Sequence, residues 1–280
     1  MIMSKKRLDV LLVERNLIET REKAKRIVMA GQVFSKQERL DKPGMKVDEN
    51  IPLTVKGKAM PYVGRGGLKL EKALKCFSLQ LEDKIMVDVG SSTGGFTDCA
   101  LQNGVKLSYA VDVGYNQLAW KLRKDERVVV MERTNFRYVT PDMFQKGTPN
   151  FATVDVSFIS LRLILPILRT ILASKSDIVT LIKPQFEAGR DQVGKKGIVR
   201  DPMIHVDVLS KIIHFALQEG YALYGMTYSP ITGGDGNIEF LAHFGWKQQK
   251  EGIFLTDNKV HQLVQEAHET FQSVQNNKSM

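Results

Sequence analysis

Residues 85–97 read IMVDVGSSTGGFT: a β-prone apolar run, Ile85 to Val89, passes into a glycine-rich turn and then into a helix-like segment, DCALQ, from Asp98. A strand, a turn that lets a ligand approach the backbone, and a helix N-terminus with unpaired N–H groups are the parts of a nucleotide-type site. The spacing is neither G-x-G-x-x-G nor G-x-x-x-x-G-K-[ST], so a nicotinamide fold and a P-loop both lose support. Asp112, 22 residues after Gly90, is placed where a carboxylate accepts hydrogen bonds from ribose hydroxyls. The turn alone could equally be no more than a tight turn. An acidic residue at the next strand end tips the reading toward a site.

Outward from this stretch, β-like runs alternate with amphipathic ones: Ile85 to Val89, Leu107 to Val113, Val128 to Met131, Phe151 to Val156, Ile178 to Ile182, Tyr221 to Thr227 and Ile238 to Phe244. Seven strands separated by helix-length pieces predict an α/β sheet with helices on both faces. Thr256 to Phe271 predicts a last amphipathic helix, with Val260, Leu263, Val264, Ala267 and Phe271 on one stripe, and Gln275 to Met280 a fraying tail. Upstream, residues 59–64 read as a linker between a small unit, 1–58, and the α/β domain, 65–280.

The 280 residues are 43% hydrophobic and 25% charged, which excludes disorder over most of the chain. The formal charge is +9, and residues 1–58 hold 14 Lys and Arg against 8 Asp and Glu, about two thirds of the excess. A polyanionic partner follows, met first by the N-terminal unit. With only Cys76 and Cys99, no disulfide scaffold or metal site is expected. Phe158 to Ala173, the most apolar region, is broken by Arg162, Pro166 and Arg169, and the start lacks a signal-peptide pattern, so a cytoplasmic protein without membrane contact is expected, as a monomer.

In the N-terminal unit Leu8, Leu11 and Leu12 recur at helical spacing, Thr20 is placed to cap a second helix carrying Ala24, Ile27 and Val28, and Gly31 to end it; Gln32 to Phe34 and Ile51 to Val55 read as short strands. Arg21, Lys23, Lys25 and Arg26 crowd the second helix, either as a solvated face or as a phosphate-contacting one. The Arg7-Leu8-Asp9 start, this basic helix and the turn Ala30-Gly31-Gln32-Val33 resemble an S4 domain, the small α+β RNA-binding fold. The resemblance implies structured RNA as partner, contacted by Lys5, Lys6, Arg7, Arg21, Lys23, Lys25 and Arg26, with Arg65 beyond the linker.

Four charged residues stand out in the α/β domain. Asp155 ends one apolar run and Lys183 the next, Glu239 lies in GGDGNIEFL, and Lys69 precedes the first strand in GRGGLKLEKAL. Carboxyl ends of adjacent strands converge on the ligand crevice of an open sheet. Singly, Lys183 before a proline reads as a surface residue and Asp155 as a helix cap. Together, opposite charges at consecutive strand ends are costly to bury unpaired.

DVGSSTGGFTD resembles the S-adenosylmethionine loop of FtsJ-type RNA 2′-O-methyltransferases, and Lys69, Asp155, Lys183 and Glu239 match that group's tetrad. The fold implied is a Rossmann-like, seven-stranded methyltransferase sheet. The loop Asp88, Gly90, Ser91, Ser92, Thr93, Gly94, Gly95 and Phe96 would then meet S-adenosylmethionine, with Asp112 on its ribose and Asn135 on the adenine side or merely capping a loop. Lys183 is the candidate general base, with Lys69 disfavouring its protonated form and both carboxylates holding the charge it gains. From Lys5 to residue 245 the chain resembles the TlyA family, which implies 2′-O-methylation of cytidine in ribosomal RNA within ribosomal subunits, large and in some members small. Met60-Pro61-Tyr62-Val63 departs from that family's linker.

Three rivals are a membrane-active hemolysin, a name the family also carries, a catalytically silent ribosome-assembly factor, and a base methyltransferase. The absence of a spanning segment, the intact tetrad, and the lack of a catalytic cysteine context weigh against them in turn. Phe186 to Asp201 reads as a lid over RNA or cofactor, or as a solvated connector, the glycines and Lys195-Lys196 favouring the lid.

Overall fold

The computed structural model describes residues 5–29, 31–36, 38–56, 60–248, 251–253 and 256–276. It divides into two compact units, Met1–Pro61 and Tyr62–Met280. Tyr62, Val63 and Gly64, expected in the linker, belong instead to the second unit: Tyr62 is buried, and the Val63 N–H donates to Asp98 Oδ2 at 2.7 Å. Of the expected linker, Ala59 lies outside the described residues, as do Ala30 of the expected turn and Gly57 and Lys58 at the end of the basic unit.

The first unit contains β1 (Lys5–Arg7), α1 (Leu8–Glu14), α2 (Arg21–Met29), β2 (Val33–Ser35), β3 (Glu38–Arg39), β4 (Lys46–Asp48) and β5 (Thr54–Val55). Leu8, Leu11, Leu12, Ala24, Ile27 and Val28 form its core, as their helical spacing predicts. Thr20 Oγ1 accepts from the Lys23 N–H at 3.3 Å, and Gly31 takes φ +67°. β5 is shorter than expected because Pro52 has no N–H for a ladder. β1 and β4, which pair antiparallel, lack the apolar alternation that would announce a strand.

The second unit is built on a seven-stranded sheet. In chain order it contains α3 (Gly66–Phe77), β6 (Ile85–Val89), α4 (Gly95–Gln102), β7 (Leu107–Val111), α5 (Trp120–Arg123), β8 (Val128–Met131), β9 (Phe151–Val154), α6 (Leu165–Ile171), β10 (Ser176–Ile182), α7 (Pro184–Glu187), α8 (Pro202–Gln218), β11 (Tyr221–Tyr228), β12 (Phe240–Trp246) and α9 (Asp257–Asn276). All seven expected strands are present. β7 and β9 stop two residues early, leaving Asp112 and Asp155 just beyond the ladder, and β12 starts two residues late, leaving Glu239 before it. Gln275 and Asn276 still belong to α9, while the rest of the expected tail lies outside the described residues.

The strand order is β11-β12-β10-β9-β6-β7-β8, with β12 antiparallel to both neighbours and the other pairings parallel. Side chains alternate between faces as strand periodicity demands. Val87, Val89, Ala152, Val154, Ile178 and Phe244 pack in the core that includes α6, α8 and α9, while Met86, Ala110, Phe151, Val179 and Leu241 pack with α3 and α4. β6 pairs with β7 on one side and β9 on the other, so the chain reverses its direction of winding there, and the carboxyl ends of β6 and β9 flank a crevice at the switch point.

His205 of α8 is fully buried; its Nε2 faces the Val199 carbonyl oxygen at 3.2 Å and its Nδ1 lies 2.9 Å from His268 Nε2 of α9. Burial, and then the neighbouring His268, push its ionisation down to about 4 from an ordinary 6.5. Below pH 6.5 the unfolded chain therefore binds a proton that the folded chain refuses, and His205 withdraws stability as pH falls from 6.5 toward 4. Urea unfolding at pH 7 and pH 5 should show about 2 kcal/mol more acid loss in the wild type than in His205→Gln; equal losses would refute this.

Candidate active site

Strand register brings the expected residues to one edge of the sheet. Val89 pairs with Val111 and Val154, and Val154 with Thr180, so Gly90, Asp112 and Asp155 leave their strands side by side. Ile182 is opposite Phe240, and because β12 runs antiparallel, Lys183 leaves β10 where Glu239 enters β12. Lys69 arrives from α3. The result is a chain of alternating charge: Lys183 Nζ lies 2.6 Å from Asp155 Oδ1, Asp155 Oδ2 lies 3.5 Å from Lys69 Nζ, and Lys69 Nζ donates to Glu239 Oε2 at 2.7 Å.

The two lysines are each 8% exposed and Glu239 2%. Buried charges survive only when paired, and here they sum to zero. The Lys183–Asp155 contact is close without hydrogen-bond geometry, and the ammonium instead donates to Ser157 Oγ at 3.1 Å. Sequence reasoning missed Ser157; its signal was a small polar residue two positions after Asp155.

A cavity of about 510 Å³ opens beside the tetrad, lined by Gly90, Ser92, Asp112, Val113, Asn135, Phe136 and Asp155 among others. Its size and its mixture of apolar wall and few polar groups suit a nucleoside-sized ligand. Asp112 accepts from the N–H groups of Ser92 and Gly114, each at 2.7 Å, which fixes its carboxylate and leaves lone pairs for a diol. Asn135 Oδ1 accepts from the Arg137 N–H at 3.1 Å while the residue lines the cavity, so it caps a turn and faces the ligand space at once. A second cavity, about 370 Å³, is lined by Arg65, Lys69, Thr93, Lys183, Gly233 and Glu239 and shares Ser92, Ser157 and Phe158 with the first.

Other loop residues expected at the cofactor stand behind the cavity. Asp88 is fully buried and accepts from Thr97 and Thr153; burial pushes its carboxyl up to about 6 against the pull of those hydrogen bonds. It holds the start of α4 through Thr97. Gly95 is needed where α4 crosses the start of α3, since a Cβ there would lie 2.9 Å from the Gly67 nitrogen. A Cβ on Gly94 would strike Leu118 and Leu122, while Phe96 and Ser91 are buried. Thr93 faces the second cavity instead.

Of the expected RNA contacts, Arg65 lines the second cavity. In the first unit Arg7 and Arg21 both donate to buried Asp9, whose carboxyl the two guanidinium groups hold down to about 2 against the cost of burial. Lys6 pairs with Glu14 and Lys23 with Glu19, whereas Lys5, Lys25 and Arg26 are exposed.

Comparison with known proteins agrees with this geometry. Residues 62–246 match the FtsJ-like methyltransferase family, and residues 6–50 match the S4 domain. The chain is 38% identical to 16S/23S rRNA (cytidine-2′-O)-methyltransferase TlyA of Mycobacterium tuberculosis (strain CDC 1551 / Oshkosh), over 93% of this chain and 97% of that one. It belongs to the TlyA family. Another relative, YqxC of Bacillus subtilis (strain 168), provisionally named an rRNA methyltransferase, is 68% identical over 96% of each chain. A solved structure from Streptococcus thermophilus, provisionally titled a hemolysin, is 52% identical and superposes with a TM-score of 0.78 over 98% of this chain and 99% of that one. Among the described residues no helix is long and apolar enough to cross a membrane.

Gly90 has φ +83°, and a Cβ there would sit 2.5 Å from the Asp155 carbonyl oxygen. Gly197 has φ +71° with open space around it. Gly197→Ala should therefore cost about 1 kcal/mol, the conformational term alone, and Gly90→Ala at least about 2 kcal/mol. Comparable urea midpoints for the two variants would contradict the close packing of β6 against β9.

Proposed function

We propose that this chain methylates the 2′-hydroxyl of a cytidine in ribosomal RNA, with S-adenosylmethionine as methyl donor and Lys183 as general base. The observation that carries the reading is Asp155: it lines the nucleoside-sized cavity and its carboxylate stands between the two buried lysines. S-adenosylmethionine, when bound, supplies a methyl on a sulfonium sulfur that keeps the C–S electron pair as the new C–O bond forms. A ribose hydroxyl is a poor nucleophile until its proton is removed, and the protein must provide that removal.

Lys183 is directed by Asp155 and Ser157, so its nitrogen has a fixed approach to a hydroxyl in the second cavity. In its neutral form it takes the 2′-hydroxyl proton as the new C–O bond forms. Lys69 also faces Asp155, dividing that carboxylate's attraction between two cations, and is itself held by Glu239. Asp112 and Gly90 orient the nucleoside end of the donor, and alignment of oxygen, methyl and sulfur lowers the rest of the barrier. The S4 unit docks the substrate through its exposed cations, a role that belongs in the cytoplasm with the ribosomal subunits. Large-subunit RNA is the first target to test and small-subunit RNA the second.

Incubation of unmethylated subunits with labelled S-adenosylmethionine should put label on a ribose, and Lys183→Ala should lower kcat at least about 100-fold while leaving cofactor affinity unchanged. Label on a base, or a normal rate for Lys183→Ala, overturns the mechanism. Lys25→Glu combined with Arg26→Glu should raise KM for subunits about tenfold without changing kcat, and should flatten the salt dependence; an unchanged KM would remove the docking role.

A further inference from the structure

Asn237 is polar, 2% exposed, and two residues before Glu239, yet it lies outside the tetrad. Both ends of its side-chain amide are engaged: Oδ1 accepts from the Val199 N–H at 3.0 Å and Nδ2 donates to the Gly197 carbonyl at 2.8 Å. Its backbone carbonyl accepts from the Gly233 N–H at 2.9 Å, and the Gly236 N–H donates to the Gly233 carbonyl at 3.1 Å, closing the 233–237 turn. That turn lies against the catalytic carboxylate: a Cβ on Gly233 would come within 2.8 Å of Glu239 Oε1, whose sister oxygen accepts from Lys69.

The segment that Asn237 grips has a definite shape. Gly194 N–H donates to the Ile198 carbonyl at 3.1 Å, Gly197 N–H to the Gly194 carbonyl at 2.8 Å, and Val199 is buried. Lys195, Lys196 and Arg200 project from it, exposed, and none of them forms an ion pair with a carboxylate among the described residues. Three unpaired cations on one tight loop suit RNA phosphates. One buried amide thus ties a cationic loop to the turn that shapes the seat of Glu239. Removing it would strand the buried Val199 N–H, release the Gly197 carbonyl and free both segments at once.

We propose that Asn237 is a positioning residue that couples RNA phosphates held by the 194–200 loop to the placement of the Glu239–Lys69 pair. The inference rests on RNA being the substrate. Coupling of this kind is reciprocal and is measured by non-additivity.

The test is a double-mutant cycle on the full chain, with ribosomal subunits as substrate and S-adenosylmethionine affinity measured alongside. Asn237→Ala should lower kcat about 10- to 100-fold, the scale of a small misplacement of catalytic groups, with cofactor Kd within about twofold of wild type. Lys195→Ala with Lys196→Ala should lower kcat/KM about tenfold in the wild type but less than about twofold in the Asn237→Ala background. Asn237→Asp keeps the size and the acceptor for Val199 but loses the donor to Gly197; it should show an intermediate loss with the same non-additivity, and it carries the test if Asn237→Ala does not fold. Additive losses with cofactor binding intact, or a normal kcat in both Asn237 variants, overturn the proposal. If the wild type itself leaves ribose unmethylated, the functional reading falls and takes this inference with it; with an active wild type, the inference stands or falls alone.

Discussion

The carboxylate of Asp155 meets Lys183 on one oxygen and Lys69 on the other, and its main chain is pressed against Gly90. Two buried ammonium groups could not share this crevice without it, because Glu239 pairs with Lys69 alone and Lys183 would carry an uncompensated charge in a medium that solvates charge poorly. Asp155 can stand there only because β9 ends beside β6 with Val154 paired to Val89, and because Gly90 has no side chain to push it away. The charge network and the glycine-rich loop are therefore not independent features. A change in the register of β9 would displace both together.

The antiparallel turn of β12 supplies the second constraint. In a wholly parallel sheet the residue preceding a strand lies at the far edge from the ligand crevice. Running β12 the other way delivers Glu239 to the edge where Lys183 emerges. The buried ion pairs gain order more than stability, since isosteric apolar residues would serve the core as well. Their value lies in the direction they give to two lysine side chains that would otherwise sample many rotamers.

Much of this was legible in the chain. The central strands β6, β9 and β10, buried on both faces, read as near-continuous apolar runs, and the edge strand β11 showed through its aromatic residues. Asp155, Lys183 and Glu239 were legible because they stand at strand ends, where apolar runs break at a charge, whereas Lys69, inside α3, was legible only through the family resemblance. Other features were not. Asp88 looks like a ligand contact because it sits next to the loop, but strand alternation turns it inward to Thr97 and Thr153. Gly94 and Gly95 read as ligand-facing glycines; the fold requires Gly94 for its φ of +90° against Leu118 and Leu122, and Gly95 where α4 crosses the start of α3. Arg7 and Arg21 read as free cations, and only the fold reveals that Asp9 lies between them. Ser157 and Asn237 carry no periodicity at all; their partners are 26 and 38 residues away in sequence.

The Lys69–Glu239 bond joins residues 170 positions apart. During synthesis the loop after β6, Asp112 and Asn135 can all be laid down while Glu239 is still untranslated. Non-local closure of this kind is the slow part of folding. A chain caught before β12 inserts between β10 and β11 would expose a sheet edge and carry a buried lysine lacking its nearest counter-charge. The order of assembly thus makes the closed charge network a late acquisition of the molecule, completed only when the final strand of the sheet is seated.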